Sequence, residues 1–551
     1  MKKIKYSLLS LLLITLSTAA CQPNLKLFGL EDPTDAEDGG SGGGKKGDGT
    51  ADGGDDGEEY DDDVIPEKRE YTYKGENALD HLGNETGTIE FQTGGSSAEK
   101  ILWDTLVNDF MSKNPGITVK QVNIDKDETL QANLTAGTAP DVIQVQSAVF
   151  GSWAQKGWFQ SIQPFVNGEV NGIDTLNVDD YYPQAIQMFR LNTETGVRGN
   201  GDMFGLPKDF GVIGVFVNKE MVIDRYNRGA FSHYVEGASD YSKLMAQEQL
   251  TYDEYFRIAH HLTLNCHVDS NGKHDHSGGY WETNVYGANR IHWESFLWGY
   301  NADILTDDYK LNVDNDYVKY VFEQCRNQVT PGTSTFYSLY SDSGATDSGT
   351  AFTGRRIIMY MGGRWNVSTF DASFKIAPYG SSQGYFCIPV PVWHVKYKPT
   401  GACSTVCYAI SKNCENTKMA YKLIRYLASK EGYRIMNQMN YAVPGIKALK
   451  GEDKFRDPRT NNSPYDGGFG DVKCNLDDKS AATFFEMADN ARISNACRFT
   501  TANWITTFET GLNSFLQDTS KTKYKTSADF LNSVRKSVNS AIKKSDPQLF
   551  W

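Results

Sequence analysis

Two α/β lobes are what this sequence predicts, on three observations. The chain has 551 residues, more than one hydrophobic core sustains. Hydrophobic residues make 39% and charged residues 23%, the ordinary balance of a globular protein. From residue 87 onward strand patterns alternate with helical patterns of crossover length, which argues for a parallel or mixed sheet with helices packed on it.

The elements follow in order. "GTIEFQT" at 87–93 alternates as a strand, and "GGSSAEKILWDTLVNDFMSKNPG" follows as a helix capped at Ser96 or Ser97 and stopped by Asn114-Pro115-Gly116. "ITVKQVNI" is a strand, "DETLQANLTAG" a helix, "DVIQV" a short strand, and "AVFGSWAQKG" a helix ended by Gly157. "TYDEYFRIAHHLT" opens with Thr251 and Glu254 at capping-box spacing. "TKMAYKLIRYLASKEG" reads as one amphipathic helix closed by Gly432, and two helices end the chain. In sheets of this kind ligands sit beyond the carboxyl ends of strands. That places Gly94, Gly95, Ser96 and Ser97 at one candidate wall and Gln146, Ser147 and Ala148 at another.

The first 21 residues, "MKKIKYSLLSLLLITLSTAAC", carry lysines, then a short apolar run, then small residues, the order of a secretory signal. Cys21 follows, and the stretch resembles a bacterial lipobox except that Thr18 stands where leucine is usual. The expectation is a lipid anchor on Cys21. Residues 22–84 then read as a tether, because 31–63 hold 14 acids and two lysines with almost nothing apolar. The net charge is −14; that acidic segment contributes −12 and residues 1–30 contribute +4, which leaves −6 for residues 64–551. Nothing in this balance suggests a nucleic-acid surface. Eight further cysteines are expected as buried thiols or as one or two disulfides, since no C-x-x-C pair exists for a metal.

Eight ordered segments carry a resemblance: "NPGITVKQV", "TAGTAPDVIQV", "WAQKGWFQSI", "FGLPKDFGVIGVFVNKEM", "TYDEYFRIAHHLT", "GRRIIMYMGGRWNVSTF", "YAISKNCENTKMAYKLIRYLASKEGYRIMNQ" and "YAVPGIKAL". In this order they resemble family 1 extracellular solute-binding proteins, the maltose-binding-protein-like receptors of ABC importers, over about residues 87–545. The resemblance implies a type II periplasmic-binding-protein fold, with two lobes on a multi-crossing hinge and a ligand cleft between them. It implies lobe one at 85–212 and 409–447, and lobe two at 213–408 and 448–551. Crossings are expected near Val212–Val217, near Ser404–Tyr408 and after "VPGIKAL". It also implies a non-enzymatic monomer without cofactor, whose partners are a small solute and a membrane permease. "RLNTETGVRGNGDM", "HVDSNGKHDHSGGYWETN" and "YDGGFGDVKCNLDD" stand out as loop insertions.

A sugar ligand needs groups that satisfy hydroxyls and flat rings that cover C–H faces, because a hydroxyl buried unpaired costs about 1–3 kcal/mol. By the resemblance Trp365 in "MGGRWNV" faces the cleft, with Gly362 and Gly363 allowing close approach and Arg364 beside it; the competing reading is a core tryptophan. Trp504 and Trp293 are further ring candidates, whereas Trp298 reads as core. Gly95, Ser96, Ser97, Gln146 and Ser147 are expected from lobe one. Asp209 in "GLPKDF" either accepts from a ligand or pairs with Lys208, and Asp141 reads as structural.

Other chemistries find less support. Five histidines cluster at 260, 261, 267, 274 and 276, but their spacing fits neither a zincin nor an EF-hand, and a solvated insertion is the plainer reading. There is no G-x-S-x-G, H-E-x-x-H or Walker A sequence. Paired carboxylates for glycoside cleavage are a spatial matter and stay open at this point. A non-sugar solute and a surface adhesin are the remaining alternatives.

Overall fold

Two mixed sheets meet end to end in the computed structural model. It describes residues 85–550 other than 96, 171, 174, 234, 264–266, 269–273, 276–284, 290–291, 329–347, 377–383, 438–441, 453–454 and 456–475. The signal sequence, Cys21 and the tether therefore lie outside the described residues, as do Ser96, Cys266, Cys474, His276 and most of the second and third insertions. Strands are numbered here in chain order. The first sheet holds β1 (Gly87–Thr93), β2 (Ile117–Asn123), β3 (Val142–Gln146), β6 (Gly205–Pro207) and β14 (Val406–Ile410), in the order β2-β1-β3-β14-β6. The second holds β10 (Tyr286–Ala288), β11 (Ile357–Gly363), β7 (Gly211–Asn218), β13 (Ala402–Ser404) and β15 (Arg492–Ile493) in that order, with β12 (Tyr385–Ile388) also on β7. Two small hairpins lie outside both sheets: β4 (Arg190–Leu191) with β5 (Asp202–Met203), and β8 (His267–Val268) with β9 (His274–Asp275).

Strand pairing shows which ends face each other. β1 runs parallel to β2 and β3, as the expected crossover helices require. β14 returns antiparallel to β3 with Val406 opposite Gln146. In the second sheet β11 and β13 run antiparallel to β7, with Gly363 opposite Ile213 and Ser404 opposite Gly211. The carboxyl ends of β1, β3 and β11 therefore gather where the chain passes between sheets. It passes at 208–210, just ahead of the Val212–Val217 crossing that the resemblance implies, and at Thr405, inside the implied Ser404–Tyr408 stretch. The third passage lies between Ile446, bridged to Tyr181, and the helix Asp478–Asp489, whose Ser480 hydroxyl accepts from Cys387 N at 2.9 Å.

Each sheet has an aromatic core. In the first, Trp103 packs edge-on to Phe91 and Tyr408. In the second, Phe216 meets Phe352, Phe370, Tyr385 and Phe484 with ring centroids 5.1–6.4 Å apart. Most of the aromatic richness is thus core. The expected capping box is formed: Glu254 N donates to Thr251 Oγ1 and Thr251 N donates to Glu254 Oε2. Nearer the start of the chain, the helix Asp127–Ala136 ends on Gly137 in the left-handed region at φ 74°. The six described cysteines, 325, 387, 403, 407, 414 and 497, are all buried free thiols.

One helix differs from expectation. Residues 417–432 are not a single helix closed by Gly432: the helix Thr417–Leu427 stops, and Gly432 lies inside a second helix, Lys430–Asn437. Ser429 starts that second helix, its hydroxyl accepting from Gly432 N at 3.1 Å and its carbonyl from Tyr433 N at 2.9 Å. Glycine is needed here because a Cβ would stand 2.4 Å from Leu427 O and 2.6 Å from Tyr426 O. Gly432→Val is expected to cost about 1–3 kcal/mol by overpacking, read as a lower denaturant midpoint. Glu431→Ala, which removes only an exposed pair with Lys113, should move the midpoint by less than about 1 kcal/mol. Equal midpoints for the two variants would count against the close approach.

Candidate functional site

The candidate site is the floor where the two sheets meet, and hydrogen bonds through Thr405 build it. Thr405 N donates to Ser147 Oγ at 3.0 Å and Ser147 N donates to Thr405 O at 2.8 Å, joining β14 to the helix that leaves β3. The Thr405 hydroxyl lies 2.6 Å from Asp209 O and 2.7 Å from Asp209 Oδ1, so its proton ties β13–β14 to β6–β7. Burial raises the Asp209 pKa above the ordinary carboxylate value, against the opposing effect of Lys208. Lys208 does not pair with Asp209 alone: its Nζ is 3.7 Å from Glu99 Oε1 and 5.2 Å from the centre of the Trp103 ring.

Lobe one supplies backbone and polar groups to this floor. Gly95 is exposed at φ 99° and its N–H donates to Asp125 Oδ1 at 2.8 Å. The left-handed backbone there requires glycine; a Cβ would otherwise stand 2.2 Å from Glu99 Oε2, the mobile end of that side chain. Ser97 begins the helix Ser97–Lys113. Gln146 is half-buried and makes no side-chain cap bond to the helix it precedes, whereas Ser147 is buried with its hydroxyl 3.1 Å from Cys497 Sγ. Asp141 is structural as read, accepting from Glu90 N at 2.9 Å.

From the second sheet comes Trp365, whose ring lies over two glycines. A Cβ on Gly363 would meet its Cζ3 at 1.9 Å, and a Cβ on Gly211 would meet the same atom at 3.1 Å. Arg364 turns inward and is fully buried, its guanidinium 6.0 and 5.6 Å from the centres of the Phe484 and Phe485 rings. Trp504 has no exposed surface and packs edge-on to Phe499, so it has no face open to a ligand in this conformation. Trp293 is 5% exposed; its indole N–H donates to Glu509 Oε1 at 3.0 Å. Among the described tryptophans only Trp158 and Trp365 are partly exposed. Trp158 sits beside the Phe159–Ser411 bridge, at the end of β14 away from the floor. Of the residues singled out from the sequence, Ser147 and Asp209 meet through Thr405, and Gly363 lies under Trp365 beside Gly211. Sequence reasoning missed Glu99 and Thr405, whose spacing from Lys208 and Asp209 along the chain carries no signal.

Glu294 was also missed. It is buried and accepts from Ser494 Oγ, Asn495 N and Asn495 Nδ2 at 2.7–2.9 Å. Burial outweighs these donors and pushes its pKa up to about 7. Among the described residues there is no group of three histidine, cysteine or acidic side chains able to hold a metal, and no helix long and apolar enough to cross a membrane.

Residues 105–460 match the family described as bacterial extracellular solute-binding proteins, and the chain belongs to that family. It is a solute-binding protein of the exported class. No curated protein matches the chain by sequence. Solved structures with the same fold include the ABC substrate-binding protein Lmo0181 from Listeria monocytogenes in complex with cycloalternan, at TM-score 0.58 and 15% identity over 83% of this chain and 99% of that one. Maltose-bound MalE3 of T. maritima superposes at TM-score 0.56 and 13% identity over 82% and 99%. The GacH receptor of Streptomyces glaucescens, solved unliganded and with acarbose, superposes at 0.56 and 15% over 84% and 99%. Each covers both sheets' worth of chain, which identifies the fold as the two-lobed type II arrangement.

Because the native Glu294 keeps its proton to about pH 7 while an unfolded glutamate releases it near 4.5, the native state binds more protons between those values. Stability from this group is therefore complete below about pH 4.5 and is lost as pH rises to about 7. Glu294→Gln should flatten that slope when unfolding midpoints are compared at pH 5 and pH 7.5. Parallel slopes for variant and wild type would refute the assignment.

Proposed function

We propose that this chain is the receptor of an ABC importer and captures a sugar or oligosaccharide between its two lobes for delivery to a membrane permease. The observation that carries the reading is Trp365: a half-buried indole held over Gly363 and Gly211 at the junction of the sheets. A flat ring whose far side rests on glycine backbone offers its other face to the C–H side of a pyranose. Gly95, Gln146 and Asp209 stand near the same junction to meet hydroxyls, with Ser147 and Arg364 buried behind them. The sugars named with the superposed structures favour the same ligand class. The lobes follow the two sheets, and no step of catalysis is assigned. A lipid on Cys21 and the acidic tether would hold the receptor at the envelope as a monomer.

The reading is tested by a thermal-shift screen of the purified protein against sugars, polyamines and amino acids. A ligand at a hundred times its dissociation constant adds about 2.7 kcal/mol of stability. A sugar hit recovered chemically intact supports receptor over hydrolase; a hit confined to polyamines keeps the fold and replaces the ligand. Trp365→Ala is expected to weaken the sugar by at least about 10-fold, as loss of a stacking ring worth about 1.5 kcal/mol or more would. Wild-type affinity in a folded Trp365→Ala protein removes Trp365 from the site.

A further inference from the structure

The first insertion, 190–203, does not project as a free loop. β4 and β5 fold it back, and Arg198, bridged to Leu191, points into the protein and is buried. Its guanidinium donates to three carbonyls from two sheets' worth of chain. NH2 reaches Met188 O at 2.7 Å and Ser147 O at 3.0 Å on the first-sheet side, and NH1 reaches Phe499 O at 3.0 Å beyond β15 of the second. The Phe150 ring lies 5.3 Å from its central carbon. Around it the same two parts of the chain are joined again. Gln155 Nε2 donates to Thr500 Oγ1 at 2.9 Å and to Gly196 O at 3.2 Å; Gln548 Nε2 lies 3.4 Å from both Gly196 O and Thr500 Oγ1. Gly151 leaves the room for this: a Cβ there would stand 2.8 Å from Arg198 Cδ and 3.0 Å from Thr500 Cα.

We infer that the 190–203 hairpin, the 499–500 segment and the C-terminal Gln548 form a non-covalent strut beside the hinge, with Arg198 as the positioning residue that limits how far the lobes part. The position supports this. Ser147, one of the Arg198 acceptors, is the residue bonded twice to Thr405, so the strut adjoins a hinge crossing. Groups close to a bending axis move little, and there a contact stiffens the hinge without blocking the cleft mouth. Among the described residues its partners are carbonyls, and burial, partly offset by Cys497 and Asp546, lowers its pKa to about 10. A cation so held tolerates neither a shifted acceptor nor a dry gap. Ligand-free receptors that open less lose less conformational freedom on closing, so the strut also favours tight binding.

The inference rests on the two-lobed receptor reading but not on any particular solute, and its test uses ligand-free protein. Hydrogen–deuterium exchange and small-angle X-ray scattering are compared for wild type and Arg198→Met, which keeps the apolar stem and leaves no unpaired charge. The expected result is wild-type protection at Phe499 and Thr500, exchange there at least ~10-fold faster in the variant, and a larger radius of gyration. Gln155→Ala with Gln548→Ala makes the same comparison should Arg198→Met not fold. Gly151→Val, whose side chain would crowd both Arg198 Cδ and Thr500 Cα, should reproduce the larger radius. Folded variants with wild-type exchange and radius overturn the strut. So does wild-type protein in which Phe499 and Thr500 exchange as fast as exposed loops. A protein that binds no sugar but shows these differences would fail the ligand reading alone.

Discussion

The structure turns on the bonds around Thr405. One buried threonine, between the last residue of β13 and the first of β14, meets Ser147 through its backbone and Asp209 through its hydroxyl. Those three residues belong to three separate stretches of chain, each passing the junction of the two sheets. Register then follows. With Thr405 fixed, Val406 sits opposite Gln146 and Ser404 opposite Gly211, and every strand end at the floor is placed by its partner. A hinge made of single extended residues, each bonded to the next, can bend through small changes of φ and ψ while the sheets stay rigid.

Glycine decides where aromatic surface remains accessible. Gly363 presents bare backbone to the Trp365 ring, where any side chain would collide with it; a side chain at Gly211 would crowd the ring at 3.1 Å and clash with Ser404 O at 2.4 Å. Elsewhere the large rings satisfy one another. Phe216 collects neighbours from several elements, and Trp504 is sealed against Phe499 with no surface exposed. Burying a ring yields more than exposing it, so a partly open tryptophan at the junction of two lobes is the observation that needs a functional account. The proposed ligand contact is such an account for Trp365, whereas Trp504 is sealed in the core.

Much of the architecture could be read from the chain because local signals and global topology agree. Asn114-Pro115-Gly116, Gly137 and the Thr251–Glu254 box all mark real boundaries, and short apolar strands between amphipathic helices predicted mixed sheets. The site was legible where a motif carried it: Gly363 and Trp365 lie in one heptapeptide, Gln146 and Ser147 at one strand end. It was illegible where partners meet only in space. Nothing in the sequence links Glu99 to Lys208 or Glu294 to Asn495. The single miscalled helix has the same origin. An apolar stripe of the right period continues through Ala428 and Ser429, and only packing of the two helices shows that Gly432 serves contact rather than termination.

The junction carries buried polar groups at the seam between two hydrophobic cores: Asp209, Thr405, Lys208 and Ser147. Their contribution to stability is small, because desolvation offsets most of what each bond returns. That is suited to a joint that must open. An apolar seam of the same area would resist parting at about 25 cal/mol per Å², and a receptor so closed would admit no solute. Groups that are hydrogen-bonded to protein when the lobes meet and to water when they part differ little in free energy between the two states. The equilibrium can then be tipped by a ligand whose own contacts are worth only a few kcal/mol. Polar residues at the hinge keep that balance close, and on the proposed reading the ring of Trp365 supplies a contact made only when the cleft is filled.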